Sequence, residues 1–327
     1  MVILLLVGAV LFLMKTKLPS NNPSNPSNPT QSPDVPEDPR ECWSDDPVSE
    51  DVTDIYVSSN RCNSEDFTVL DLTRFKDLMS IDIGSNSFSY VKELKITGLR
   101  NLERVSVGRD SFSGAEGSFV LKDCKTLTEL RIGNGAFARF NVLTLESLPA
   151  LELIDIGGGC FINVDTFRVS GMKSLERVVV GDHSFTEKRG SFHLTNCRSL
   201  KELAIEDYAF AEYGTFEVSS VPSLETISVE SNCFTETDSV SFSGLDSLER
   251  VTIGDSCFLA NGEFYLRNCP KVRELRVGML SFYSYTICII ENVPSLELIE
   301  MGAMGRARDD NFRRASLELK SVIIHKE

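Results

Sequence analysis

The sequence predicts a β-rich repeat solenoid of about twelve coils of 24–25 residues, with short parallel strands on both faces and weak curvature. Two observations predict it. Phenylalanines recur 24 or 25 residues apart, at Phe88, Phe112, Phe137, Phe161, Phe185, Phe210, Phe234, Phe258 and Phe282. Ten residues before each stands an aliphatic residue: Leu78, Leu102, Leu127, Leu151, Leu175, Leu200, Leu224, Leu248 and Val272. Between them the chain writes L-x-x-[LIV]-x-[IV]-x-x-x-x-F, seen in NLERVSVGRDSF (101–112), SLERVVVGDHSF (174–185) and SLERVTIGDSCF (247–258). One such coil cannot bury both faces of its strands. Stacked at about 4.8 Å, each strand pairs with the same strand above and below, and the leucines, valines and phenylalanines pile on their counterparts.

The alternate residues of the first segment (Val178 and Val180, for example) make it a strand with one face buried. A second apolar pair follows in the other half of each unit, as in Phe119/Leu121, Phe167/Val169, Phe192/Leu194, Phe216/Val218 and Phe264/Leu266. Their spacing of two again reads as a short strand and shows no helical period. With strands rather than wider helices on the outer side, little curvature is expected. These two sets use 14 of the 20 phenylalanines, so the aromatics are core ladders and not a ligand-stacking surface. Gly84, Gly108, Gly133, Gly157, Gly181, Gly254, Gly278 and Gly302 leave the first strand at one equivalent place, where a sharp turn with positive φ is expected. Val52, Ile55, Val57, Asn60 and Cys62 form a leading copy. Leu296, Ile299 and Met301 form a late one with Arg306 at the aromatic position, and Leu319, Val322 and Ile324 close the series.

Residues 1–50 differ from the rest. Val2 to Met14 is an unbroken apolar run followed by Lys15 and Lys17, so residues 1–18 read as a targeting or anchor segment, shorter than the roughly 20 residues that span a bilayer. Residues 19–41, containing NNPSNPSNPTQSPDVPEDP, have nothing to bury and read as a disordered stalk; residues 42–327 form the solenoid with its N-terminal cap. A secreted or membrane-anchored surface protein is expected, or a cytoplasmic one if the start is mis-assigned. No Asn-x-Ser/Thr acceptor occurs, since proline blocks the stalk's triplets.

The L-x-x-L-x-L-x-x-N-x-[LF] signature of leucine-rich repeats fits Leu78–Phe88 throughout, with Asn86 at the asparagine position. Most other copies replace that asparagine, as with Asp110, Gly135, His183 and Tyr208. The G-x-x-[SA]-F turn and the NC-x-SL run at Asn196–Leu200 resemble the BspA-like repeats of bacteria and protists. The resemblance covers roughly residues 52–327 and implies protein–protein recognition or adhesion through the exposed residues of the first strand.

Little in the chain points to chemistry. The net charge of −15 excludes a phosphate-binding surface for nucleic acid and docking on anionic lipid, leaving the N-terminal segment as the one membrane contact. Asp155–Cys160 (DIGGGC) lacks the lysine and hydroxyl of a phosphate loop. His183, His193 and His325 are accompanied by no metal-binding motif, and no nucleophile–base set can be assembled, so no cofactor or metal is implied. Cys124, Cys197 and Cys269 share one coil position three coils apart, too far to bridge, and read as small buried residues; Cys160, Cys233 and Cys257 precede ladder phenylalanines. Cys42, beside Trp43, and Cys62 are expected to close the cap with a disulfide, which favours an oxidising compartment.

One acidic cluster stands out on neighbouring coils: Asp182, Glu206, Asp207, Glu230 and Asp255, with Glu206 and Glu230 in place of the turn glycine. It reads as a solvated face or as a site for a basic partner or divalent cation. The expectation is a monomeric, non-enzymatic scaffold that binds another protein. The alternatives are a passive spacer and a carbohydrate-acting β-helix enzyme using Arg131, Asp155 and Asp182, for which the even spacing leaves no long loops to wall a cleft.

Overall fold

The computed structural model describes residues 50–302, 311–312 and 316–320, with only the backbone of 316 and 317. The expected targeting segment, the stalk, Cys42, Trp43, Arg306, Val322, Ile324 and His325 lie outside the described residues. Strands alternate between two faces and no described residue is helical. On the first face run β1 (Asp54–Val57), β3 (Ser80–Ile83), β5 (Arg104–Val107), β7 (Glu129–Ile132), β9 (Leu153–Ile156), β11 (Arg177–Val180), β13 (Glu202–Ile205), β15 (Thr226–Val229), β17 (Arg250–Ile253), β19 (Glu274–Val277) and β21 (Leu298–Met301). On the second run β2 (Val69–Asp71), β4 (Glu93–Thr97), β6 (Ser118–Lys122), β8 (Val142–Glu146), β10 (Thr166–Ser170), β12 (Ser191–Thr195), β14 (Thr215–Ser219), β16 (Ser239–Ser243), β18 (Glu263–Arg267), β20 (Ile287–Glu291) and β22 (Ser316–Lys320).

The odd strands form one continuous 11-stranded parallel sheet. Its register stacks like on like: Ile154, Val178, Leu203 and Ile227 are successive partners, all buried. The even strands break into three sheets, β2-β4-β6-β8, β10-β12-β14 and β16-β18-β20-β22. The described residues thus hold eleven coils of the expected parallel solenoid. The C-terminal register differs from expectation. Leu319 partners Ile290 on the second face rather than leading a strand of the first.

The phenylalanine column runs through the middle. Consecutive rings from Phe88 to Phe282 are fully buried and stack at centroid separations between 4.7 and 5.6 Å. That spacing follows from the distance between paired strands, and the near-parallel rings are offset stacks. Phe312, not Arg306, continues the column, 4.9 Å from Phe282. The extra residues between them break the period that sequence spacing relies on.

The turns correct one expectation. Glycines leaving the first strand, such as Gly84 and Gly181, are not among the residues with positive φ. Glycine stands there because of the coil below: a Cβ on Gly181 would lie 2.4 Å from the Gly158 nitrogen and 2.6 Å from the Gly157 carbonyl carbon. Gly181→Ala is therefore expected to destabilise the fold by about 1–3 kcal/mol, as overpacking does, in denaturant melts. Positive φ falls instead two residues later, at Asn86, Asp110 and His183, and on the ladder phenylalanines themselves, Phe185 at 55° for example. Between these two positions sits a small buried residue that ties coils together. Ser111, Ser184 and Ser281 donate Oγ–H to the carbonyls of Gly84, Gly157 and Gly254 (2.7, 2.9 and 2.6 Å) and accept the amides of Ser87, Cys160 and Cys257. Cys160 and Cys257 make the same donation through Sγ, to Gly133 and Glu230. This serine–cysteine ladder satisfies turn groups that would otherwise be buried unpaired.

Candidate interaction surface

Side chains alternate along each first-face strand, so the residues between the buried ones form the outer surface of the continuous sheet. Arg131 on β7 pairs with Glu129 on its own strand and with Asp155 on β9 (2.7 Å to Asp155). Arg276 on β19 repeats the arrangement with Glu274 and Glu300. Between these two ion-pair ladders the equivalent positions are Val179, Ala204, Ser228 and Thr252, small and half-buried. The Arg131–Asp155 pair is a cross-strand salt bridge in the middle of a regular sheet. Asp182 lies on the turn after β11, off the sheet that carries Arg131 and Asp155, the other two residues of the carbohydrate-enzyme alternative.

The five acidic residues come together at the turns that follow β11, β13, β15 and β17. The structure gives several of them a backbone role. Asp207 Oδ1 accepts the amide of Ser231 (2.7 Å), and Asp255 Oδ1 accepts that of Met279 (2.6 Å). Ser59, Asn134 and Ser231 do the same for Ser85, Gly158 and Asp255, so this turn position is an acceptor ladder running from coil to coil. Gly158 has no side chain to offer the coil above. There Glu206 reaches back instead, and its Oε2 accepts the amide of Asp182 (3.3 Å).

The patch still carries uncompensated charge. Asp182 meets His183 at 3.0 Å, and the other four form no ion pair among the described residues. Partial burial, then the neighbouring Asp207 and Glu206 carboxylates, push the Glu230 carboxyl above its usual value. A raised acid pKa means the native state holds the proton more tightly than the unfolded chain. Stability from this group is complete below about pH 4.5 and is lost as pH rises through the folded value. Glu230→Gln should therefore raise the melting temperature at pH 7.5 and leave it unchanged at pH 3.5.

Sequence reasoning missed an aromatic element beside these carboxylates. The ring of His183 stacks on Tyr208 with centroids 4.7 Å apart, and Tyr208 is 44% exposed. Both occupy the position where a repeat asparagine was absent, and that departure was the available signal. His193, on the second face, instead contacts Glu217 at 2.7 Å and holds that carboxyl below its usual range. Among the described residues no three His, Cys, Asp or Glu side chains converge to hold a metal ion.

The cysteines are otherwise inert. Cys124, Cys160, Cys197, Cys233, Cys257, Cys269 and Cys288 are free and buried, and burial pushes the thiols of Cys160 and Cys288 up to about 12. Cys62, at the foot of the aromatic column, is disulfide-bonded.

Residues 132–273 match the family model of the BspA type leucine rich repeat region, in six copies. No curated protein and no solved structure matches the chain significantly.

Proposed function

We propose that this array, whose repeats over residues 132–273 are of the BspA leucine-rich type, is a non-enzymatic scaffold that binds a protein with a basic surface. Arrays of this type are commonly protein-binding or adhesion scaffolds and are typically not enzymes. The first-face sheet supplies the platform, and its acidic rim selects the partner. The observation that carries the reading is the unpaired charge of Glu206 and Glu230. Both replace a glycine that the coil packing otherwise favours, and neither forms an ion pair among the described residues. Tyr208 beside them offers a ring face to a Lys or Arg side chain. The reading includes a Cys42–Cys62 disulfide tying the cap to the first coil and a surface location reached through the N-terminal segment.

The test is affinity capture from an extract at low and high salt, comparing the wild type with Glu206→Gln/Glu230→Gln. Glutamine keeps the acceptor that Asp182 uses and removes only charge. The reading expects a basic protein that is released by salt and bound about tenfold more weakly by the variant, the scale of two lost interface charges. Equal capture by both proteins would overturn the role of the rim, and no salt-sensitive partner at all would favour a passive spacer.

A further inference from the structure

The second-face sheet breaks at two seams, between β8 and β10 and between β14 and β16. The bends after the second-face strands show what is lost there. Gly98, Asp123, Gly171, Asn196, Gly244, Asn268 and Asn292 each donate their amide to the next coil at 3.0–3.1 Å. Ser147 and Ser220, which follow β8 and β14 with the same positive φ, make no such bond. The core thins at the same places. Phe216 and Val218 are 7% and 6% exposed and Leu145 is 7%, whereas Phe192 and Leu194 one coil away are fully covered. A groove of about 350 Å³ lies along the β14–β16 seam, lined by Thr215, Phe216, Glu217, Val218, Ser239 and Ser241.

The seams coincide with a longer period. The two are three coils apart, as are Gly117, Gly190 and Gly262, and Phe140, Tyr213 and Tyr285. These form staples. Tyr213 passes Gly190 in the coil below and donates its hydroxyl to the Val164 carbonyl two coils down (2.6 Å). Tyr285 passes Gly262 and reaches the Thr237 carbonyl (2.8 Å). A Cβ on Gly190 would lie 2.2 Å from the Tyr213 ring, and one on Gly262 would lie 2.8 Å from that of Tyr285. Phe140, which has no hydroxyl, folds back against Phe112. No staple crosses a seam: Val164, Gly190 and Tyr213 belong to the coils of β10, β12 and β14, and Thr237, Gly262 and Tyr285 to those of β16, β18 and β20.

We propose that the array is jointed: modules of four, three and four coils, the second and third each held by a tyrosine staple, meet at the two seams, and the continuous first-face sheet is the hinge. Opening a seam spreads the second face, where no strand-ladder bond must break, although the buried Thr237 hydroxyl that donates to the Tyr213 carbonyl (2.9 Å) across the β14–β16 seam must let go, and it makes the first face concave toward a partner.

Distance distributions between spin labels on the full chain test this. The seven free buried thiols leave engineered surface cysteines to react selectively. Thr215→Cys/Glu263→Cys straddles a seam on the second face, Thr166→Cys/Thr215→Cys spans two coils within a module, and Ala204→Cys/Thr252→Cys crosses the same seam on the first face. The seam pair should give a distribution at least about twice as wide as the other two on the microsecond-and-slower motions expected of packed elements. Equal widths for both second-face pairs, or an equally broad first-face pair, would overturn the joint. Hydrogen exchange on the unlabelled chain gives a second reading: residues 215–220 and 239–243 should exchange faster than 191–196 and 263–268, and equal protection counts against it.

Discussion

Replacing Phe185 by alanine is expected to destabilise the protein by about 3–5 kcal/mol, the range of core phenylalanine truncations. The ring is fully buried and stacked between Phe161 and Phe210, at 5.4 and 4.9 Å, with Phe167 edge-on at 5.1 Å. Its neighbours cannot close the gap, because each is held in register by its own coil's strands. Asp182→Ala, three residues away on the exposed turn, should shift stability by less than about 0.5 kcal/mol, as surface changes do. A second comparison isolates the backbone. Phe185 sits at φ 55°, a conformation that costs an L-residue about 1–2 kcal/mol. Glycine escapes that cost, so Phe185→Gly should be no less stable than Phe185→Ala. Urea midpoints for the three variants check the order. Asp182→Ala ranking worst would overturn the inside–outside assignment on which the fold rests.

The column that Phe185 belongs to was legible in the sequence because its signal is local and periodic: one aromatic, one fixed distance, one inward direction. The same holds for the aliphatic positions of both strands. What was not legible depends on neighbours in the stack. The turn glycines mark a close approach of one coil to the next, which a single coil's sequence does not reveal, and φ was the wrong reason for them. Phe312 was missed because thirty residues, not twenty-four or twenty-five, separate it from Phe282. The acidic cluster could be read from spacing, but not the amides that Asp207 and Asp255 accept. The three-coil period was in view in the recurring NLERV/SLERV stretches, 73 residues apart, yet the stronger single-coil period masked it.

A thermodynamic cycle within one module carries the second large effect. Tyr213→Ala removes a fully buried ring and its hydrogen bond to Val164, at a cost of about 3–5 kcal/mol. Gly190→Val places methyl groups where that ring lies, and overpacking costs about 1–3 kcal/mol. The two lesions have opposite signs of volume at one place. In the double variant valine enters the space the ring has left, so its destabilisation should fall short of the sum by about 0.5–3 kcal/mol, the coupling seen between residues in contact. Pairing Gly190→Val with Tyr285→Ala provides the control. Those residues lie in modules separated by the β14–β16 seam and share no partner, so their effects should add within about 0.5 kcal/mol. Urea midpoints at constant m-value read the three single and two double variants. Additivity within the module would mean that the glycine does not make room for the tyrosine. Strong coupling across the seam would mean that the module boundary is energetically absent, whatever the hydrogen bonds there suggest.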